Sequence, residues 1–239
     1  MFQRNIRESL KEALDDTPVV LLIGARQVGK STLAQSLDDG GYKPKYLTFD
    51  DPTVLAAAKQ NAAAFLETVQ KPVIFDEIQR VPELFLPIKT FVDRNREAGL
   101  FLLTGSANVL LLPKVADSLA GRMEVLILRP LSQGEIGGQT EDFIDWICAD
   151  LFQPNVSVET ADRAALFQKM FTGGYPEAVR RQAESRRSAW FNSYLTTLLQ
   201  RDVRDLANIE GLTDLPATEK MHIPSLQTNL FFASGSSPR

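Results

Sequence analysis

A chain of 239 residues, 44% hydrophobic and 23% charged, is long enough for one substantial core with a smaller satellite and has the composition of a soluble globular protein. Its net charge of −4 argues mildly against a constitutive nucleic-acid binder, though not against a local basic patch. The single cysteine, Cys148, excludes an intramolecular disulfide framework, and with only one histidine, His222, it also argues against a structural zinc site.

The first residues, MFQRNIRESLKEALDD, are charged throughout and lack the apolar centre of a signal peptide. Ile6, Leu10 and Leu14 fall at four-residue spacing, which predicts a short amphipathic helix over 2–15, ended by Pro18. VVLLI (19–23) is a continuous apolar run, as expected of a strand buried on both faces. A glycine-bearing loop follows, then a helix over STLAQSL (31–37) that stops at Gly40-Gly41. KYLTF (45–49) predicts a second strand, closed by Asp50-Asp51-Pro52, and the Ala-rich stretch 53–70 a helix. PVIF (72–75) and LFLLT (100–104) predict further buried strands on either side of a helix over 83–97. The apolar stretch from Leu100 to Pro113 is broken by Thr104, Gly105, Ser106 and Asn108, and is too short and polar to span a bilayer. A helix over 109–120 and a fifth strand, EVLIL (124–128), complete this half. Alternating strands and helices predict an α/β fold, a parallel sheet covered by helices. After Pro130 strand signals stop, and 142–152, 161–171, 176–185 and 188–206 predict helices, with a boundary within 131–150. From about Pro216 the Pro- and Ser-containing tail lacks periodicity and is expected to be poorly ordered. A soluble, cytoplasmic protein with no membrane contact is the expectation.

Gly24-x-x-x-x-Gly29-Lys30-Ser31 carries the chemistry. Its glycines let the backbone curl so that successive N–H groups point at phosphate oxygens, and the helix that follows adds positive potential. Lys30 is placed to reach the β- and γ-phosphates, and the Ser31 hydroxyl to coordinate Mg²⁺. The candidate nucleotide-binding residues are Gly24, Ala25, Arg26, Gln27, Val28, Gly29, Lys30, Ser31 and Thr32. Asp76-Glu77 ends a buried strand at the sheet edge where the loop also lies. Asp76 can complete the Mg²⁺ shell, and Glu77 is placed as general base on an attacking water. Thr104 or Ser106, at another strand end, is placed to hydrogen-bond the γ-phosphate or that water; capping by small hydroxyl residues is the plainer alternative. Arg122, before the fifth strand, is placed either to stabilise charge on the γ-phosphoryl group, in cis or from a neighbouring subunit, or simply to satisfy a helix end. FTGGYPEAVRRQ breaks at Gly173-Gly174 and puts Pro176 at a first helical position. Arg180, Arg181, Arg186 and Arg187 stand among Glu177 and Glu184, which favours a solvated face over a phosphate-binding patch.

Taken together, GARQVGKSTL, VIFDEIQRVPEL, LLTGSAN, LAGRMEVLILRPLSQGEI and GGYPEAV resemble a widespread group of bacterial and archaeal ATPases of the AAA+ class, over residues 1 to about 215. The resemblance implies a five-stranded sheet in the order 5-1-4-3-2 followed by a small helical lid. It matches Lys30 and Ser31 to the Walker A pair and Asp76 and Glu77 to the Walker B pair. Thr104 and Ser106 fall at the first sensor, Arg122 at the arginine finger, and Pro176 in a lid turn where proline packs on the base or sugar. The implied division is a core over 1–135, a lid over 136–215 and an atypical tail over 216–239. Members usually continue beyond RDVRDLANIEGLTDLP into a winged-type segment and a further domain, so a truncated or frameshifted member is expected. The expected function is Mg²⁺-dependent hydrolysis of ATP to ADP and phosphate, with self-association through Arg122 and an unidentified protein or nucleic-acid partner. A non-hydrolysing, nucleotide-gated module acting on DNA or protein is the alternative. A small-molecule kinase fits the acidic pair less well, and no Asn-Lys-x-Asp motif supports a GTPase.

Overall fold

All five apolar runs become strands of a single parallel sheet. The computed structural model describes residues 2–37, 42–106, 109, 119–139, 141 and 162–207, with side chains to 198. β1 (Val19–Ile23), β2 (Lys45–Thr48), β3 (Val73–Asp76), β4 (Phe101–Gly105) and β5 (Met123–Ile127) lie in the order β2-β3-β4-β1-β5. Read from the other edge, this is the expected 5-1-4-3-2. Val19 pairs with Phe101 on one side and Met123 on the other, and Ile23 with Gly105 and Ile127. The ends of β1, β4 and β5 are therefore level, and the segments leaving them share one edge.

Successive strand residues point to opposite faces, and the core divides accordingly. Val19, Leu21, Ile23, Val73, Phe75, Phe101 and Leu103 pack with Phe49, Phe85 and Ile88 on one face. There Phe49 stacks on Phe75 at 5.5 Å between ring centres. Val20, Leu22, Ile74 and Leu102 pack on the other face with Leu10 and Leu14 of α1 (Arg7–Asp16) and Leu33 of α2 (Lys30–Gln35). The central strands are wholly buried, whereas edge strand β5 is half-exposed.

Several helices differ from expectation. The stretch 53–70 is two helices, α3 (Pro52–Gln60) and α4 (Ala62–Thr68). Asn61 leaves helical geometry between them, and its side chain accepts from the Ala64 N–H, capping the second. The helix expected over 83–97 is α5 (Phe85–Arg94), preceded by 3₁₀ turns at Ile78–Arg80 and Pro82–Leu84. A short helix absent from the expectation, α6 (Gln133–Gly137), opens with a capping box between Ser132 and Glu135. α7 (Arg163–Thr172) follows the undescribed stretch. The helix expected over 176–185 ends early as α8 (Pro176–Val179), and the next starts sooner, as α9 (Glu184–Ala207). Residues 110–118 of the helix expected over 109–120, the helix expected over 142–152 and the tail from Pro216 lie outside the described residues.

The chain divides into two units, residues 1–189 and 190–239. Residues 162–189 thus cluster with the sheet. In the second unit, Trp190 and Tyr194 stack one helical turn apart, 5.2 Å between ring centres. Among the described residues no helix is long and apolar enough to cross a membrane.

Candidate functional site

The loop between β1 and α2 is shaped by its neighbours. A Cβ on Gly24 would lie 2.3 Å from the Leu128 carbonyl oxygen, so only glycine lets the loop leave β1 past the end of β5. The Leu128 N–H donates to the Ile23 carbonyl at 2.7 Å, extending the β1–β5 pairing to the loop's threshold. Gln27 (φ 62°) and Gly29 (φ 100°) are both left-handed, which turns backbone N–H groups inward as an anion cradle requires. Lys30 opens α2 and is buried. Its ammonium donates to the carbonyls of Gly24 and Ala25, each at 3.0 Å. Burial pulls its proton affinity down, with Glu77 and Asp76 opposing and Arg26 adding to the fall.

Asp76, at the end of β3, is nearly inaccessible to solvent. Hydroxyls from three elements converge on it. Ser31 of α2 donates at 2.9 Å to its carboxylate, equidistant from both oxygens. Tyr46 of β2 donates to Oδ2 at 2.7 Å, and Thr104 of β4 donates to Oδ1. Burial, reinforced by the bond to Asp76 and its charge, pushes the Tyr46 phenol up to about 12, so it remains a donor at neutral pH. Thr104 also accepts from the Glu77 N–H at 3.4 Å. Glu77 itself is left-handed (φ 60°, ψ 45°), a conformation that costs a non-glycine residue roughly 1–2 kcal/mol and that recurs at functional sites. Its carboxylate accepts from the Gln79 amide, whose own Oε1 is buried without a partner among the described residues.

Lys30, Ser31, Asp76, Glu77 and Thr104 thus come together as expected. Ser106 follows β4 on the same edge, half-buried, its carbonyl accepting from the Val109 N–H at 3.0 Å. Pro176 opens α8, and the turn before it is seated by a 2.7 Å bond from the Leu131 N–H to the Gly174 carbonyl. Tyr175 packs on the core cluster of α1 and α2. Arg122 is different. It precedes β5, level with the start of β1, so it stands at the sheet edge opposite the loop. Acting on its own chain's loop would require crossing the sheet. Its guanidinium binds Asp93 of α5 and the Ala120 carbonyl, and the hydrogen bond to Asp93 holds that carboxyl below its ordinary range. The arginine cluster also dissolves. Arg187 is buried and donates to the carbonyls of Arg181 and Gln182, while Arg180 and Arg181 pair with Glu177.

Three contributors were not anticipated from sequence: Tyr46, Gln79 and Arg4. Arg4 is buried. It donates to Glu135 at 3.1 Å, to the Val28 carbonyl of the loop at 2.8 Å and to the Arg129 carbonyl at 2.6 Å. Nothing local in MFQRNI marks it, because its partner Glu135 is 131 residues away. For Glu135 a signal existed, the Ser-x-x-Glu spacing of a capping box.

The donor set suits a phosphate accompanied by a hard divalent cation: a cradle closed to side chains at Gly24, a buried lysine, and a hydroxyl–carboxylate pair of oxygen ligands in Ser31 and Asp76. Comparison with known proteins bears on the family. Residues 16–137, just over half of the chain, match the model of the AAA domain family, and residues 163–231 match a domain of unknown function. That second match includes most of the stretch from Pro216. Uncharacterized proteins of Mycobacterium bovis and Mycobacterium tuberculosis are each 30% identical over 205 residues, which is 85% of this chain and 40% of theirs. The chain therefore spans less than half the length of these relatives. The Walker-type ATPase of Pyrococcus abyssi shares the fold, with a TM-score of 0.51 at 16% identity over 87% of this chain and 76% of that one. A phosphate cradle on a β2-β3-β4-β1-β5 sheet and a family match spanning that sheet lead to one assignment: this chain belongs to the AAA domain family, whose P-loop fold binds ATP.

Proposed function

We infer that the chain is a Mg²⁺-dependent ATPase module that hydrolyses ATP to ADP and phosphate. The observation that carries this reading is the Ser31–Asp76 pair, 2.9 Å apart, with Lys30 and Glu77 beside it. ATP binds with its phosphates in the cradle from Gly24 to Thr32. Lys30 exchanges its carbonyl partners for β- and γ-phosphate oxygens. Ser31 and Asp76 hold Mg²⁺, which neutralises charge on the β- and γ-phosphates. Glu77 takes the proton of the attacking water. Thr104 links Asp76 to the Glu77 backbone and sets the base relative to the metal ligands, while Ser106 contacts the γ-phosphate. Pro176 covers the base or sugar, so a helical lid over 136–215 closes on the nucleotide held by a core over 1–135 and relays its state to a protein or nucleic-acid partner. Arg122 completes the site of a neighbouring copy.

Glu77→Gln tests the hydrolase. Removing the base should slow phosphate release by roughly 10²–10⁴-fold while ATP affinity, measured with a fluorescent analogue, is retained. A wild type that binds ATP yet releases phosphate no faster than the variant sinks the hydrolase reading. One observation favours the alternative, a nucleotide-gated module without turnover: the Gln79 amide engages the Glu77 carboxylate. Tight ATP retention without phosphate release, in the same assay, selects it.

A further inference from the structure

Asp76 is held from two sides. Tyr46 grips Oδ2 and Thr104 grips Oδ1, from strands β2 and β4 on either side of β3. Donors on opposite oxygens fix the plane of the carboxylate. Ser31 then approaches that plane with its one proton directed at the carboxylate, and the lone pairs of its own oxygen remain available to a cation. Thr104 is inside the core, and the Glu77 N–H also depends on it. Tyr46 is half-buried, and its hydroxyl reaches Asp76 diagonally: the residue directly across the ladder from Asp76 is Thr48, two positions further along β2. Its ring packs on the apolar cluster of Val20, Leu33 and Ile74. Ring and hydroxyl thus have separate tasks, the ring filling the core and the hydroxyl touching only polar chemistry.

We propose that Tyr46 is a positioning residue for the cation site, its phenol presetting the Asp76 carboxylate so that Asp76 and Ser31 meet a divalent ion without rearrangement. This rests on reading the site as one for a nucleotide and a divalent cation. Partners that orient metal ligands typically contribute 10- to 100-fold in metal affinity. The nucleotide's other contacts, the cradle and Lys30, do not involve Tyr46.

Tyr46→Phe keeps the ring and removes only the hydroxyl. Binding of a fluorescent ATP analogue to the purified full chain is measured in EDTA and through a Mg²⁺ titration. Mn²⁺ binding to the nucleotide complex is followed in parallel by electron paramagnetic resonance. The expected result is unchanged affinity in EDTA, with about tenfold more Mg²⁺ or Mn²⁺ needed to reach half-occupancy. An unchanged cation midpoint overturns the proposal. So does a loss of affinity in EDTA as large as that in Mg²⁺, because the tyrosine then only supports the fold. If the wild type binds the nucleotide with no cation dependence, the reading of the Ser31–Asp76 pair fails, and the proposal fails with it. A wild type with normal cation dependence and a variant identical to it sinks the role of Tyr46 alone.

Discussion

Gly24 shows how little tolerance the site has at the level of single atoms. The oxygen that a Cβ would meet at 2.3 Å belongs to backbone, which cannot swing aside as a side chain can. Gly24→Ala must therefore push the loop away from β5 or distort the end of β5. Overpacking of this kind costs about 1–3 kcal/mol. If that strain falls on the cradle, ATP affinity drops by roughly ten- to a hundredfold, measured by titration calorimetry. An alanine variant that binds ATP as the wild type does would show that the loop has another way past Leu128. Two further residues of the candidate site, Gln27 and Glu77, are left-handed without being glycine. Strain is thus concentrated where ligand contacts can compensate it.

Among elements, the N-terminal segment does more than precede α1. Arg4 ties it to the phosphate loop through Val28 and, through Arg129 and Glu135, to the stretch that follows β5. The Asn5 and Ser132 N–H groups also donate to Glu135. Arg4→Ala leaves a buried carboxylate facing only neutral donors, and should lower stability by about 3–5 kcal/mol in urea unfolding. Combining it with Glu135→Gln should cost less than the two losses added; simple additivity would show that the pair does not act as a unit. This connection was illegible in sequence, since it joins residues more than a hundred positions apart with no pattern between them. The strands were legible because burial on both faces demands uninterrupted apolar runs such as VVLLI and VIF. Their order was not, and followed only from the family resemblance. Asn61 escaped notice because an Ala-rich stretch favours helix on both sides of it, and nothing in its immediate neighbours distinguishes a cap from an interior residue. The pairs Lys30–Ser31 and Asp76–Glu77 were legible because each lies within one short segment. Tyr46 was not, since its role arises from strand pairing.

On the scale of the whole molecule, the nucleotide loop and Arg122 occupy opposite edges of one sheet. On the proposed reading, a finger that cannot serve its own chain requires a repeating contact, each copy offering Arg122 to the loop of the next. Arg122→Ala should retain ATP affinity but lower turnover by about 10³-fold or more, and light scattering should find an ATP-dependent rise in mass in the wild type. Constant mass with undiminished turnover in the variant would leave Arg122 as the partly exposed partner of Asp93, a near-surface pairing that contributes little. The two relatives extend well beyond the matched region. The bond from Leu128 to Ile23 has a wider implication. Among the described residues β5 is an edge strand paired with β1 alone, and the Leu128–Ile23 bond that extends this pairing is also the footing of the phosphate loop. If that bond couples order in the strand to occupancy of the loop, the linkage is reciprocal: whatever phosphate binding gains from a firm β5, a firm β5 gains from phosphate. Amide hydrogen exchange along Met123–Leu128 would then report nucleotide state, and a protein settling beside this strand would gain leverage over nucleotide release without touching the nucleotide.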